Sequence, residues 1–250
     1  MKTKLPGIAV VAAACLVLPA SRLLAQPPPD GPPKGLSGSA SLGLSLTRGN
    51  SDTLNLSAAI DSLYDPKTKN VMKWTALYLR GTQNDVLSVD RASAMFRDER
   101  MLNGRMFAFG QFDVLHDTFK AIDYLYAPAA GVGYKVVDSM RSQLAVDAGV
   151  GGVVEKDTGA DSRASGAITL SEKLVHQLTE TTTLKQSAAS LLKTNDFGDR
   201  LFTFQFGVAA KINARFQLSI DVLDTFKSRP LDAATKRNDV ALLTSIVAKY

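Results

Sequence analysis

Long stretches of this chain alternate apolar and polar residues one by one, and no segment carries a convincing apolar stripe at helical spacing. In 201–212, Phe202, Phe204, Phe206, Val208, Ala210 and Ile212 share one face, opposite Thr203, Gln205, Gly207, Ala209 and Lys211. In 215–222, Phe216, Leu218, Ile220 and Val222 oppose Arg215, Gln217, Ser219 and Asp221. The same period recurs in 37–47, 53–61 and 144–150. A period of two is the signature of a strand with two unlike faces. Gly, Asn and Asp clusters break it at fairly regular intervals, as turns do.

Twelve such segments are expected, at about 36–48, 52–64, 71–83, 90–100, 105–115, 123–136, 141–155, 163–175, 180–194, 200–212, 215–227 and 239–250. Most run to roughly 11–14 residues. Soluble strands average about five or six residues, whereas a tilted membrane-crossing strand needs about nine to eleven. The second face is small and polar, which suits a wet or hydrogen-bonded interior. Connections near 101–104, 137–140, 176–179 and 213–214 read as short, and those near 84–89, 116–122, 156–162, 195–199 and 228–238 as mostly longer. That rhythm matches short periplasmic turns and longer outer loops. The reading is an all-β, antiparallel, up-and-down transmembrane β-barrel of about 12 strands.

Other classes fit less well. Mean hydropathy is only +0.01, too low for a chain built of helical spans of about 20 apolar residues each. The formal charge of +5 is spread along the chain and forms no basic stripe for nucleic acid. The single long apolar run lies at the start: Lys2 and Lys4, then Ile8 to Leu18, then a small residue at Ala25. It predicts a signal peptide over 1–25, cleaved before Gln26. Cys15, the only cysteine, would leave with it. Five of the ten prolines fall in 26–33, so 26–35 reads as an extended linker and 36–250 as the barrel. The expected location is the outer membrane of a Gram-negative bacterium. The last strand places Val240, Leu242, Ile246, Ala248 and terminal Tyr250 on one face. A closing strand with a final aromatic resembles the signal by which the barrel-assembly machinery takes up such proteins.

Three stretches carry a family resemblance. Gly49-Asn50-Ser51-Asp52-Thr53-Leu54-Asn55-Leu56 resembles an opening hairpin, Phe107-Ala108-Phe109-Gly110 through Asp123-Tyr124 to Gly131-Val132-Gly133-Tyr134 a central pair of strands, and Asp239 to Tyr250 a closing strand. Together they are similar to domain-of-unknown-function family 481, often labelled salt-induced outer-membrane proteins. The resemblance implies a location and a fold, and by its label a response to salt stress. It implies no defined chemistry.

The residues offer little for catalysis. His116 beside Asp117 and His176 beside Gln177 read as loop and turn residues without an obvious strand-face partner. A membrane-embedded lipid hydrolase, the alternative reading, requires a serine close to one of them at the bilayer rim. Metal ligands are too sparse, and the acids of 155–161 lack calcium-loop spacing. Gly149-Val150-Gly151-Gly152 is expected to ease curvature or close strand approach and not to cradle phosphate. No catalytic residue, metal or cofactor is expected.

The inward charges are more informative. With the apolar face toward lipid, the lumen face receives Lys73, Arg91, Arg97, Lys173, Lys185 and Lys211, with Asp61, Glu99, Asp147 and Asp221. Two readings stay open. The bases line a narrow aqueous path that favours anionic solutes, or acids and bases pair into a plug. Trp74, Tyr78, Tyr124, Tyr126, Tyr134 and Tyr250 fall near strand ends, where interfacial girdles place such rings. The expected function is a non-enzymatic outer-membrane barrel in contact with lipid, either a small-solute pore or an envelope-stability protein. A soluble periplasmic binding barrel is a further alternative, and the long apolar faces speak against it.

Overall fold

The computed structural model describes residues 35–47, 53–230 and 236–250. The expected signal peptide, the linker up to residue 34, the first hairpin turn at 48–52 and part of the last connection lie outside the described residues.

Twelve antiparallel strands close into one barrel. In chain order they are β1 (Gly35–Thr47), β2 (Thr53–Asp65), β3 (Asn70–Gln83), β4 (Val86–Met101), β5 (Met106–Asp117), β6 (Ile122–Asp138), β7 (Ser142–Asp157), β8 (Arg163–Gln177), β9 (Thr182–Lys193), β10 (Asp196–Lys211), β11 (Phe216–Lys227) and β12 (Asn238–Lys249). Each strand pairs with its chain neighbours, and β1 closes on β12 through Ser39 opposite Lys249 and Leu42 opposite Ile246. Gly38 N and Tyr250 O, and Tyr250 N and Gly38 O, exchange hydrogen bonds of 3.1 Å at that seam. Closure matters because an open sheet edge cannot exist in lipid.

The exterior decides the solvent. Leu42, Leu44, Ile60, Val132, Val150, Ile220, Leu242 and Ile246 all point outward and are exposed. Each belongs to a period-two apolar face, so together they form a continuous apolar wall. Soluble monomers rarely expose apolar patches larger than a few hundred Å². A 12-residue strand such as β5 spans about 30 Å at about 3.3 Å per residue and about 40° tilt, enough to cover an apolar band of about 25 Å. This is a membrane-spanning barrel of the outer-membrane type.

Both ends of the described barrel, Gly35 and Tyr250, lie at one rim, called here the near end. Its turns leave only three or four residues between strands, and several share one device. Asn103 Oδ1 accepts from Arg105 N and Met106 N at 2.9 and 2.7 Å, and Asn213 Oδ1 from Arg215 N and Phe216 N at 2.9 Å each. Thr179 Oγ1 does the same with Thr181 N and Thr182 N. A short side-chain acceptor satisfies the turn's free amides.

At the far end the structure corrects three expected loops. Segments 84–89 and 195–199 are not long connections, because β4 begins at Val86 and β10 at Asp196. Asn84 and Asp85 have φ of 50° and 62°, the left-handed pair that closes a two-residue hairpin. The connection expected at 116–122 is also short: four residues separate Asp117 from Ile122, and they hold a 3-10 turn, η1 (Thr118–Lys120), capped by Asp117.

The glycines of β6 and β7 clear space for inward rings. A Cβ on Gly133 would enter the Phe107 ring, and one on Gly149 would lie 3.0 Å from Phe109 Cζ. Gly133→Ala is therefore expected to lower stability by about 1–3 kcal/mol through overpacking. The added change Phe107→Leu should recover part of that loss, read by urea unfolding of the refolded barrel through Trp74 fluorescence.

Candidate functional site

The lumen divides into two halves of opposite character. In the far half it is filled. Leu115, Ile122, Leu125, Ala127, Val153 and Ala167 form a buried apolar cluster, with Leu191 and Leu201 packed against it. These side chains point inward, since the same cluster lies against Lys193, Asp199 and Lys227. This corrects the expectation of an interior lined by small polar residues alone. On β6 both faces are apolar, so alternation there does not reveal which face looks inward.

Around the apolar cluster runs a lattice of ion pairs. Arg91 Nη1 donates to Asp117 Oδ2 at 2.9 Å and to Thr225 Oγ1 at 2.8 Å. Lys227 Nζ donates to Asp157 Oδ1 at 2.7 Å, and Lys193 Nζ to Glu155 Oε1 and Asp199 Oδ2 at 2.6 and 2.7 Å. Arg163 closes on Glu155 and Asp157 from the far rim. Strands β4 and β11, and β7 and β11, are not neighbours in the barrel, so the Arg91–Thr225 and Lys227–Asp157 contacts run directly across the lumen. Lys120 adds a tie above them. Its side chain is fully buried, and Nζ donates to Lys236 O at 3.1 Å and Arg237 O at 2.8 Å and pairs with Asp239 at 2.8 Å.

A second hub lies nearer the middle. Arg97 donates from Nε to Glu99 at 2.8 Å, from Nη1 to Gln111 at 2.7 Å and from Nη2 to Asp147 at 2.8 Å. Its guanidinium carbon sits 3.8 Å from the Phe109 ring centroid and 5.7 Å from that of Phe107. Lys73 Nζ donates to the other oxygen of Glu99 at 2.6 Å. Stacking on an aromatic face is a use to which a planar guanidinium is suited.

Toward the near end the lumen is wet. Asp61, Lys173, Lys185 and Lys211 are all exposed although they sit inside the barrel. A cavity of about 240 Å³ opens at the near mouth, lined by Arg141, Gln143, Thr183, Lys211, Gln217 and Lys249 among others. Of the ten charged residues expected to face inward, Lys73, Arg91, Arg97, Glu99 and Asp147 are thus drawn into ion pairs. Asp221 accepts from Ser219 Oγ at 2.6 Å. Lys173, Lys185, Lys211 and Asp61 make no ion pair among the described residues.

The aromatics fall toward both rims of the outer wall. Tyr134 and Tyr250 lie near the near end, and Tyr250 Oη is 2.5 Å from Ser62 Oγ. Trp74 packs on Phe96 with ring centroids 5.8 Å apart. Tyr124 stacks on Tyr126, and Tyr126 on Phe112, farther up. Tyr78 lies beside Arg80, also toward the far end.

Both histidines depart from the expected loop positions. His116 is part of β5, with Nδ1 2.8 Å from Asp123 O. His176 is part of β8 on the outward face, with Nδ1 2.7 Å from Ser142 Oγ. A serine does therefore meet a histidine near the rim. No described group engages the other ring nitrogen, and a triad needs an orienting partner there. Glu172 shares that outward face of β8, but four residues away, about 13 Å along a strand. It is held by Gln186 Nε2 at 3.3 and 3.2 Å. The Ser142–His176 pair clips β7 to β8. Among the described residues no group of three or more His, Cys, Asp or Glu is placed to hold a metal.

Residues 40–250 match the family described as "Protein of unknown function, DUF481". The chain belongs to that family. Among solved structures, this DUF481 barrel is similar to the translocator domain of the autotransporter NalP from Neisseria meningitidis, at 11% identity and a TM-score of 0.48, over 88% of this chain and 90% of that one. It is also similar to the KdgM porin, at 9% identity and a TM-score of 0.44, over 86% and 98%. At such identities and scores neither likeness assigns a function. No curated protein matches the sequence.

The far-half lattice makes a direct prediction. Removing one partner of a buried ion pair strands the other, at a cost of about 3–5 kcal/mol. Lys227→Met should lower the stability of the refolded DUF481 barrel by about that much, because Asp157 then keeps only the rim-exposed Arg163. Lys227→Met combined with Asp157→Leu should recover most of the loss in urea unfolding.

Proposed function

We propose that this protein is a closed, non-enzymatic barrel of a Gram-negative outer membrane, shut in its outer half and open to the periplasm. In this reading residues 1–25 are a cleaved signal peptide, 26–35 a linker, and the closing strand is what the barrel-assembly machinery takes up. The near end, with its uniformly short turns, faces the periplasm. The barrel is then no constitutive pore. It becomes a path only if the far-half lattice opens, and the unpaired bases below would tilt that path toward anions.

The observation that carries this reading is the 2.8 Å bond from Arg91 to Thr225 across the lumen. A link to salt stress, which the family resemblance implies, fits a lumen held shut by charge. The rim-exposed pairs, Arg163 with Asp157 and Arg229 with Asp196, weaken as ionic strength rises, and the buried ones much less.

Planar-bilayer recording tests the proposal. The refolded wild-type barrel should give no stable conductance steps. The variant Arg91→Ser with Lys227→Ser should give steps with anion preference. That preference should fall when Lys173→Gln and Lys185→Gln are added. Large stable steps from the wild type would contradict a closed outer half.

A further inference from the structure

The lumen bases are treated differently at the two ends. Arg91, Lys193 and Lys227 in the far half, and Lys73 and Arg97 in the middle, each meet a carboxylate within 2.9 Å. At the near mouth Lys211 and Lys249 meet none among the described residues. Arg141, on the same cavity wall, is aimed by two carbonyls, with Nε on Gln177 O at 3.1 Å and Nη2 on Leu178 O at 3.3 Å. Those bonds hold the guanidinium without neutralising it. Lys249 also feels the charges of Lys185 and Lys211, whereas Lys173, farther in, feels Lys73 and Lys185 against the acids Asp61 and Glu99.

Three cations and one acid, Glu180, line this cavity of about 240 Å³, a formal excess of two positive charges (three minus one). Like charges gathered beside a low-dielectric wall repel one another. The lumen bases of the far half and the middle are paired, and a mouth that leaves this group without a carboxylate partner has room for a counter-ion from outside. The neutral lining suits an anion as well, since Gln143, Gln177, Thr183 and Gln217 offer amide and hydroxyl donors.

We propose that the near-end vestibule is a binding site for a compact, multiply charged anion of the phosphate class, with Lys211, Lys249 and Arg141 as its cationic contacts. The site takes the anion from solution. Gln143, Thr183, Lys211, Gln217 and Lys249 belong to the inward faces of their strands, so a lipid headgroup on the outer wall meets at most the turn residues Met140, Arg141, Glu180 and Thr181. The proposal stands apart from the closed outer half: the vestibule can bind an anion whether or not the far end conducts.

The test is calorimetric titration of pyrophosphate into the refolded full barrel in zwitterionic micelles, with folding verified by heat-modifiable migration. One saturable site is expected, with chloride a poor competitor. Lys211→Gln with Lys249→Gln should weaken binding about tenfold to a hundredfold, the range for losing charge-assisted hydrogen bonds. Lys67→Gln, at a near-end turn on the exposed Asp65 pair, should leave affinity unchanged. If the double variant fails to fold, Arg141→Gln alone supplies the comparison. Equal affinity in wild type and vestibule variants, or displacement by chloride at equal concentration, overturns the site. Loss of pyrophosphate binding in phosphatidylglycerol nanodiscs but not in phosphatidylcholine ones would give the site to a lipid headgroup and overturn its assignment to a soluble anion.

Discussion

Arg91 reaches Thr225 by passing over the centre of the lumen, five places around the barrel through β3, β2, β1 and β12 to β11. Much else in the far half depends on that contact and on Lys227 with Asp157. An eight-stranded barrel can be filled by its own side chains, whereas twelve strands enclose more than ordinary side chains span. Long cationic side chains solve the problem of reach. Their stems lie beside apolar neighbours such as Leu125 and Leu191, and the head of Lys227 finds the carboxylate of Asp157 across the lumen. Asp117 then ties the plug to its lid: Oδ2 holds Arg91, and Oδ1 accepts from Phe119 N and Lys120 N at 3.1 Å each.

Such a lattice contributes shape more than net stability. Taking two charges out of water costs several kcal/mol per ion, which the pairing roughly offsets. The net gain of the far half comes from its apolar members, of which the Leu, Ile and Val side chains each contribute about 1.5–3 kcal/mol when fully buried. The ion pairs determine which walls meet, and the apolar cluster keeps water out between them. Below Arg97 the character of the lumen reverses. Lys173, Lys185 and Lys211 are exposed, and none of them makes an ion pair among the described residues.

Much of the fold was legible in the sequence because the exterior of a membrane barrel repeats one rule. Phe202, Phe204 and Phe206 can face only lipid, and the strands they imply are longer than a soluble sheet needs. The filled lumen was not legible, for two physical reasons. On β6 the outward residues Tyr126 and Val132 and the inward residues Leu125 and Ala127 are both apolar, and irregularities at 122–124 and 135–137 shift the register. The partners are also non-local: nothing near Lys227 names Asp157, which lies 70 positions away. Asn84-Asp85 was readable in principle, since adjacent Asn and Asp favour a left-handed two-residue turn. The His176–Ser142 contact depends on the exact pairing of β7 with β8, and a slip of one residue would have broken it.

The central claim is that one lumen is packed in its far half and wet in its near half. Cys15 is the only cysteine in the sequence, so single cysteines placed in the barrel can be read without background from the rest of it. A water-soluble thiol reagent applied to the folded barrel in vesicles, from either side, measures the claim directly. The account predicts that Lys173→Cys is labelled rapidly from the near side only. It predicts that Leu125→Cys and Val153→Cys are protected from both sides until the barrel is unfolded. Labelling of residue 125 at the rate of residue 173, or labelling of residue 173 from the far side, would show an open lumen and contradict it.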